Sequence, residues 1–167
     1  MKALFVVAPE MFRDEEYTEP KAALEKAGFE IITASSRPGT ASGRFGLKAK
    51  VDLTLDKVNA ADYDAVIFVG GPGSHDYYNN EEALRIAREA AGGKLVASIC
   101  SAGGILANAG ILKGRKATVF PAEIALIKSK GAVYTDTGVV VDGNLVTADG
   151  PEHAKIFGEA IVKALGL

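Results

Sequence analysis

Leu95-Val96-Ala97-Ser98-Ile99-Cys100-Ser101-Ala102-Gly103-Gly104 is an apolar run that stops at a cysteine and continues in very small residues. Leu95 to Ile99 is the length of a strand buried on both faces. Ile105, Leu106 and Ala109 then fall at helical spacing, and Gly110 supplies a stop, so Cys100 stands where a strand turns into a short helix. The preceding segment has the same construction. Ala65 to Val69 is apolar, Gly70-Gly71-Pro72-Gly73 breaks it, and Ala83, Leu84, Ala87, Ala90 and Ala91 share one helical face before Gly92 and Gly93. Asn79 with Glu82 three residues later has the form of a capping box for that helix.

The pattern extends to both ends. Lys2 to Val7 reads as a buried strand. A helix follows, with Asp14, Glu15, Glu16 and Glu19 near its positive end and Gly28 as its stop. Glu30 to Ala34 forms a second strand. Ser35 to Gly46, rich in Ser, Gly and Arg, reads as a surface loop leading to short extended pieces between Leu47 and Leu55. Beyond the cysteine, Ala117 to Phe120 and Val133 to Tyr134 read as strands around a helix from Ala122 to Lys130. Val139 to Val141 and Leu145 to Thr147 flank the turn residues Asp142, Gly143 and Asn144, which predicts a hairpin. Gly150 and Pro151 open a last helix, with Ile156, Phe157, Ala160, Ile161 and Ala164 on one face. Strands alternating with helices predict an α/β fold, a mostly parallel sheet covered by helices on both faces. One domain spanning 1–167 accounts for the whole chain. In such sheets ligands bind beyond the carboxyl ends of strands, where both Gly70 to Gly73 and Cys100 lie.

Composition narrows the function. An apolar share of 48% against 24% charged residues suits a globular domain. With 19 basic and 21 acidic side chains and no Lys/Arg stripe, no nucleic-acid partner is expected. The apolar run Ala3 to Ala8 is too short for a signal-peptide core and no segment is long enough to span a bilayer, so a cytoplasmic protein without a membrane partner is expected. Two histidines and one cysteine without ligand spacing predict no metal. The glycine loop lacks the Lys-Ser or Lys-Thr pair of a phosphate loop, and no cofactor is expected.

Cys100 is the only thiol. A nucleophile elbow crowds the positions two before and two after the nucleophile, and these are the small residues Ser98 and Ala102. A helix beginning at Ser101 would aim free amides at the sulfur and favour thiolate. The Ser101 amide, with one from the Gly71 loop, would form an oxyanion site. Spacing alone equally admits a small residue buried at the end of a strand.

Val69-Gly70-Gly71-Pro72-Gly73, Ala97-Ser98-Ile99-Cys100 with Gly103, and Glu15-Glu16-Tyr17-Thr18-Glu19-Pro20 together resemble the DJ-1/PfpI superfamily. The likeness continues through Gly114-Arg115-Lys116-Ala117-Thr118 and Val141-Asp142-Gly143-Asn144, and it is strongest to the compact PfpI-type intracellular proteases. The resemblance implies a flavodoxin-like three-layer sandwich. It also implies a glutamate hydrogen-bonded to the cysteine, here Glu16, kept protonated because two adjacent negative charges repel.

The chain departs from this pattern at two bases. Where PfpI-type proteases place histidine directly after the cysteine, this chain has Ser101, and before Pro121 it has Phe120 where other members have histidine. His75, just past the glycine loop, stands where the resemblance puts an acid reaching the cysteine site of a neighbouring subunit. His153 is read as a surface or capping residue. With both usual bases missing, aldehyde chemistry is easier to support than proteolysis. The resemblance therefore implies attack by Cys100 on a small carbonyl compound, or on an acyl group of a peptide or protein, in a homodimer or larger homo-oligomer. The alternative is a redox-sensing or stress-response protein that uses oxidation of Cys100.

Overall fold

The predicted alternation closes into a single seven-stranded sheet in the computed structural model, which describes residues 1–167. The elements in chain order are β1 (Lys2–Val6), β2 (Glu10–Phe12), α1 (Asp14–Lys26), β3 (Glu30–Ser35), β4 (Gly39–Gly43), β5 (Lys48–Val51), β6 (Leu53–Thr54) and β7 (Ala65–Phe68). Then come α2 (Glu81–Ala91), β8 (Leu95–Ile99), α3 (Gly103–Asn108), β9 (Lys116–Ala117), α4 (Ile124–Ser129), β10 (Val133–Tyr134), β11 (Val139–Asp142), β12 (Leu145–Ala148) and α5 (Ala154–Ala164). The main sheet runs β11-β12-β8-β7-β1-β3-β6 and is parallel except for the edge strand β11. Val6 lies level with Phe68, and Phe68 with Ser98, so β1, β7 and β8 end side by side. Strand order reverses between β1 and β7, the place where a parallel sheet opens a crevice.

Successive strand residues point to opposite faces, and here both faces are dry. Leu4, Val6, Val66, Phe68 and Val96 pack with Ile86, Ala87 and Leu106 from α2 and α3. Ala3, Phe5, Ile67 and Ala97 pack on the other side with Leu24 and Phe157 from α1 and α5. This gives the three layers of a flavodoxin-like sandwich. The expected hairpin forms too, pairing Asp142 with Leu145 across Gly143 and Asn144. No helix is long and apolar enough to cross a membrane.

Four local readings need correction. The cap of α2 is Asn80, whose side chain accepts from the Ala83 amide at 3.0 Å. Glu82 reaches forward to Arg85 at 2.7 Å instead of back to a cap, so Asn79 and Glu82 form no capping box. Ser35 to Gly46 is not wholly loop, because β4 pairs antiparallel with β5 and parallel with β2 in a three-stranded satellite sheet. Gly39-Thr40-Ala41-Ser42-Gly43 has too little apolar content to signal a strand, and its pairing partners impose the conformation. The strand expected over Ala117 to Phe120 is confined to Lys116–Ala117, and the helix expected from Ala122 opens with a 3₁₀ turn, Pro121–Glu123. The Asp14 carboxylate accepts from the Phe45 and Leu47 amides, both at 3.1 Å, and so fastens the tip of the satellite sheet beside the start of α1.

Candidate active site

Ile99 ends β8 in an extended conformation (φ −131°, ψ 143°), and the next residue, Cys100, has φ +60°. That left-handed geometry costs an L-residue about 1–2 kcal/mol. A 3₁₀ turn over Cys100–Ala102 and then α3 carry the chain away, completing the elbow. Ser98 and Ala102 are buried, as the crowding at an elbow requires. The Cys100 carbonyl accepts from the Phe120 amide at 3.2 Å, which ties the bend to the segment beyond β9.

The second strand end meets the first. A Cβ on Gly70 would lie 2.5 Å from the Ile99 carbonyl oxygen, 2.6 Å from Glu16 Oε1 and 2.8 Å from the Cys100 Cβ. Only glycine leaves room there for the acid and the thiol together. Gly71, at φ +104°, lies against the backbone of Met11, Phe12 and Arg13, and the Arg13 amide donates to the Gly70 carbonyl at 2.9 Å. This bond docks the first turn of α1 against the loop, so Glu16, about one helical turn before Pro20, points inward rather than into water. Gly70→Ala is expected to lower stability by about 1–3 kcal/mol, the usual cost of overpacking, and to abolish turnover by pushing Glu16 or Cys100 aside. Thermal unfolding measured with steady-state activity checks it, and an active, unaltered variant would contradict the contact.

Glu16 is fully buried and Cys100 is 8% exposed. Neither Glu16 carboxyl oxygen has a partner at full hydrogen-bond geometry, and the Cys100 sulfur is the neighbour placed to become one. Burial pushes the Glu16 carboxyl up to about 8, against a lesser pull from the Cys100 hydrogen bond and Arg13. Burial thus favours a protonated acid beside the cysteine. The expected lowering of the thiol is not found. Burial first, then the neighbouring Glu16 charge, push the Cys100 thiol up to about 12 and outweigh the stabilisation that the Ser101 amide and hydroxyl offer a thiolate. With a 3₁₀ first turn and only six residues in α3, the helix end is too weak to reverse this. At neutral pH the pair keeps both protons, and the first to leave belongs to the pair rather than to one residue.

Cys100 opens into a cleft of about 450 Å³, which Glu16, Gly71, Ser101 and His75 of the same chain also line. His75 needs no neighbouring subunit to reach it. Its Nε2 meets Glu123 Oε1 at 2.9 Å, its Nδ1 meets the Pro72 carbonyl at 3.1 Å, and its ring lies tilted against that of Tyr78 with centroids 4.7 Å apart. A carbonyl and a carboxylate can only accept, so the imidazolium satisfies both contacts where either neutral tautomer satisfies one. Burial opposes that charge, but the bonds to Glu123 and Pro72 prevail and His75 is raised. His153 lies outside the cleft, paired with Asp149 at 2.7 Å.

Sequence reasoning missed Glu123, Arg13, Arg44 and Glu152, all on the cleft wall. The signal for Glu123 was present: it stands three residues past Phe120, the position where a base was sought. Nothing in the spacing places Arg44, which arrives from the satellite sheet.

A family model described as the DJ-1/PfpI family matches residues 1–164. A deglycase of Pyrococcus horikoshii is 41% identical over 166 residues, covering 99% of each chain. Protein/nucleic acid deglycase 2 of Escherichia coli is 33% identical over 99% of this chain and 98% of its own. Among solved structures, a ThiJ/PfpI domain protein from Brachyspira murdochii superimposes with a TM-score of 0.96 at 36% identity, covering 99% of this chain and 96% of that one.

Proposed function

The chain belongs to the DJ-1/PfpI family, and on that premise we propose that it is a cysteine-dependent enzyme of the deglycase and glyoxalase kind, acting on reactive aldehydes and their adducts through Cys100. The observation that carries this reading is the bent, strained Cys100 at the floor of a cleft, with the protonated Glu16 on one side and the His75–Glu123 pair on another. Nucleophilic addition needs a thiol that meets a carbonyl carbon and a source of protons for the oxygen. As the sulfur–carbon bond forms, the carbonyl π pair moves to oxygen, the oxygen takes the proton of the Glu16 carboxyl, and the carboxylate so formed takes the proton given up by sulfur. Glu16 is the group that exchanges protons with the sulfur. The Gly71 and Ser101 amides are the proposed donors to the oxyanion. His75 as imidazolium supplies the acid that a departing group requires, so the missing histidine at position 101 does not leave the site without one.

The test is release of free amino compound or thiol from methylglyoxal-modified N-acetyl-lysine and N-acetylcysteine. Wild type should release both and Cys100→Ser neither; equal release by the two proteins would remove Cys100 from the reaction. Peptide cleavage is expected to be slow in both. The want of a Lys/Arg stripe concerns surfaces that track phosphates, so a single modified base reaching the cleft is compatible with this reading. Self-association belongs to the same proposal, supported by exposed Phe120 on the cleft wall and exposed Phe45 packed against Arg13 and Arg44 of that wall.

Glu123→Gln tests the acid. Loss of the carboxylate lowers the proton affinity of His75, and activity that needs the imidazolium falls as pH rises through that value. The alkaline limb of the kcat profile should therefore move to lower pH in Glu123→Gln, while the melting temperature changes little. An unmoved limb would exclude His75 as the acid.

A further inference from the structure

Beside the cysteine lies a buried group of hydroxyls that the chemistry above leaves unused. Ser74 is 1% exposed and Ser101 3%. Ser74 Oγ is 2.8 Å from the Gly71 carbonyl oxygen, Ser101 Oγ is 3.0 Å from the same oxygen, and the two hydroxyls are 2.8 Å apart. Three short oxygen–oxygen contacts share only two protons, because a carbonyl donates none. One contact is always left without a hydrogen. The Gly71 carbonyl does not depend on Ser101, since the Ser74 backbone amide also donates to it at 3.0 Å. The Ser101 hydroxyl, next in the chain to Cys100 and on the same cleft wall, is bonded at rest to Gly71 and Ser74 and not to the sulfur.

We propose that Ser74 and Ser101 form a switchable donor to Cys100: when the sulfur ionises, Ser101 turns its proton from the Gly71 carbonyl onto the thiolate, and Ser74 turns its own onto Ser101. In the thiol state both protons point to the Gly71 carbonyl and the contact between the hydroxyls is empty. In the thiolate state the chain Ser74 to Ser101 to sulfur is filled and every short contact that remains in use has its hydrogen. The thiol proton leaves to solvent in the cleft, and apart from that S–H bond only hydrogen bonds are made or broken. Ser101 is the proposed donor to the reacting atom, and Ser74 is a positioning residue that acts through it. The other ionisable groups facing the sulfur are Glu16 and Arg13 from the α1 side and Tyr78 from the segment before α2, with His75, Arg44, Glu123 and Glu152 on the cleft wall. None of them contacts either hydroxyl, and Tyr78 binds the Ser101 backbone carbonyl rather than its side chain.

The inference rests on Cys100 being the reactive group, so its test reads the thiol directly rather than turnover. The rate of iodoacetamide alkylation of Cys100 is followed against pH in wild type, Ser101→Ala, Ser74→Ala and the double variant, with melting temperatures as the check on folding. A hydrogen bond to a charged sulfur is worth about tenfold in thiolate population, so Ser101→Ala should alkylate about tenfold more slowly near neutral pH. Ser74→Ala should be slowed by about threefold, because it removes only the second link. Since the links act in series, the double variant should match Ser101→Ala. Wild-type rates in Ser101→Ala, or effects that multiply in the double variant, would overturn the switch. Should Ser101→Ala not fold, Ser74→Ala decides alone: slowed alkylation supports the relay and an unchanged rate refutes it. If Cys100→Ser retained turnover while these alkylation rates shifted as stated, the hydroxyl switch would stand and the proposed function would fall.

Discussion

Cys100→Gly is expected to fold, to lose carbonyl turnover, and to be more stable than Cys100→Ala by about 1 kcal/mol. Both variants remove the sulfur, so both should lose activity by on the order of a thousandfold or more, as happens when a covalent nucleophile is deleted. They differ in what the backbone requires. At φ +60° a Cβ presses on the following carbonyl, and alanine keeps that conflict while glycine has none. Strain of this kind persists only where the surroundings over-determine the conformation. Here the partners are Ile99, paired with Ala148 within the sheet, and the Cys100 carbonyl, held by the Phe120 amide. In a domain of this size the difference corresponds to about 2–4 °C in melting temperature. Calorimetry of the two variants under identical conditions checks it. A glycine variant no more stable than the alanine variant would mean that the elbow stores no strain.

Glu16→Gln should abolish most turnover and at the same time flatten the dependence of stability on pH. In the fold the carboxyl is pushed up to about 8 by burial, whereas in the unfolded chain it titrates near its ordinary value of 4.5. Between those values the native state holds a proton that the unfolded state has released. Stability is therefore fully present below pH 4.5 and is lost as pH rises, until the native carboxyl also ionises near 8. Linkage over that interval is on the order of 5 kcal/mol for a buried acid. Glutamine has a similar shape and no proton to lose. The two stability curves should lie close together at pH 4.5 and separate steadily toward pH 8, with the variant above. His75, also raised in the fold, contributes a slope of the same sign, but it is present in both proteins and cancels in the difference. Loss of proton exchange with the sulfur should lower kcat by about a hundredfold. Parallel curves for the two proteins would show that Glu16 is solvated or charged, contrary to its place beneath the cysteine.

The strands and helices that carry the fold were legible because each is long enough to show its period. Leu95 to Ile99 and Ala65 to Val69 are uninterrupted apolar runs, and a strand dry on both faces has no other signature. The satellite sheet was illegible for the converse reason: Gly39 to Gly43 is small and polar, and only its neighbours make it a strand. The cap of α2 was misplaced by one residue because Asn79 and Asn80 are chemically alike, and only the backbone shows which amide its side chain reaches.

The candidate site divides along the same line. Cys100 at a bend between small residues was readable from the chain itself, and the Gly70-Gly71 loop was readable as its neighbour. Family likeness, rather than spacing, supplied Glu16. His75 was recognised as a candidate, but its partner Glu123 lies 48 residues away, and no local pattern links them.

By itself the sequence determined the architecture and the address of the site, since hydrophobic periodicity and turn chemistry are properties of neighbouring residues. The tertiary structure decided the chemistry of that site. Proton affinity depends on which groups share a volume and how much water is shut out, and here the closing of α1 over the two strand ends drew the proton onto Glu16 and withheld the thiolate that the chain's local pattern had implied.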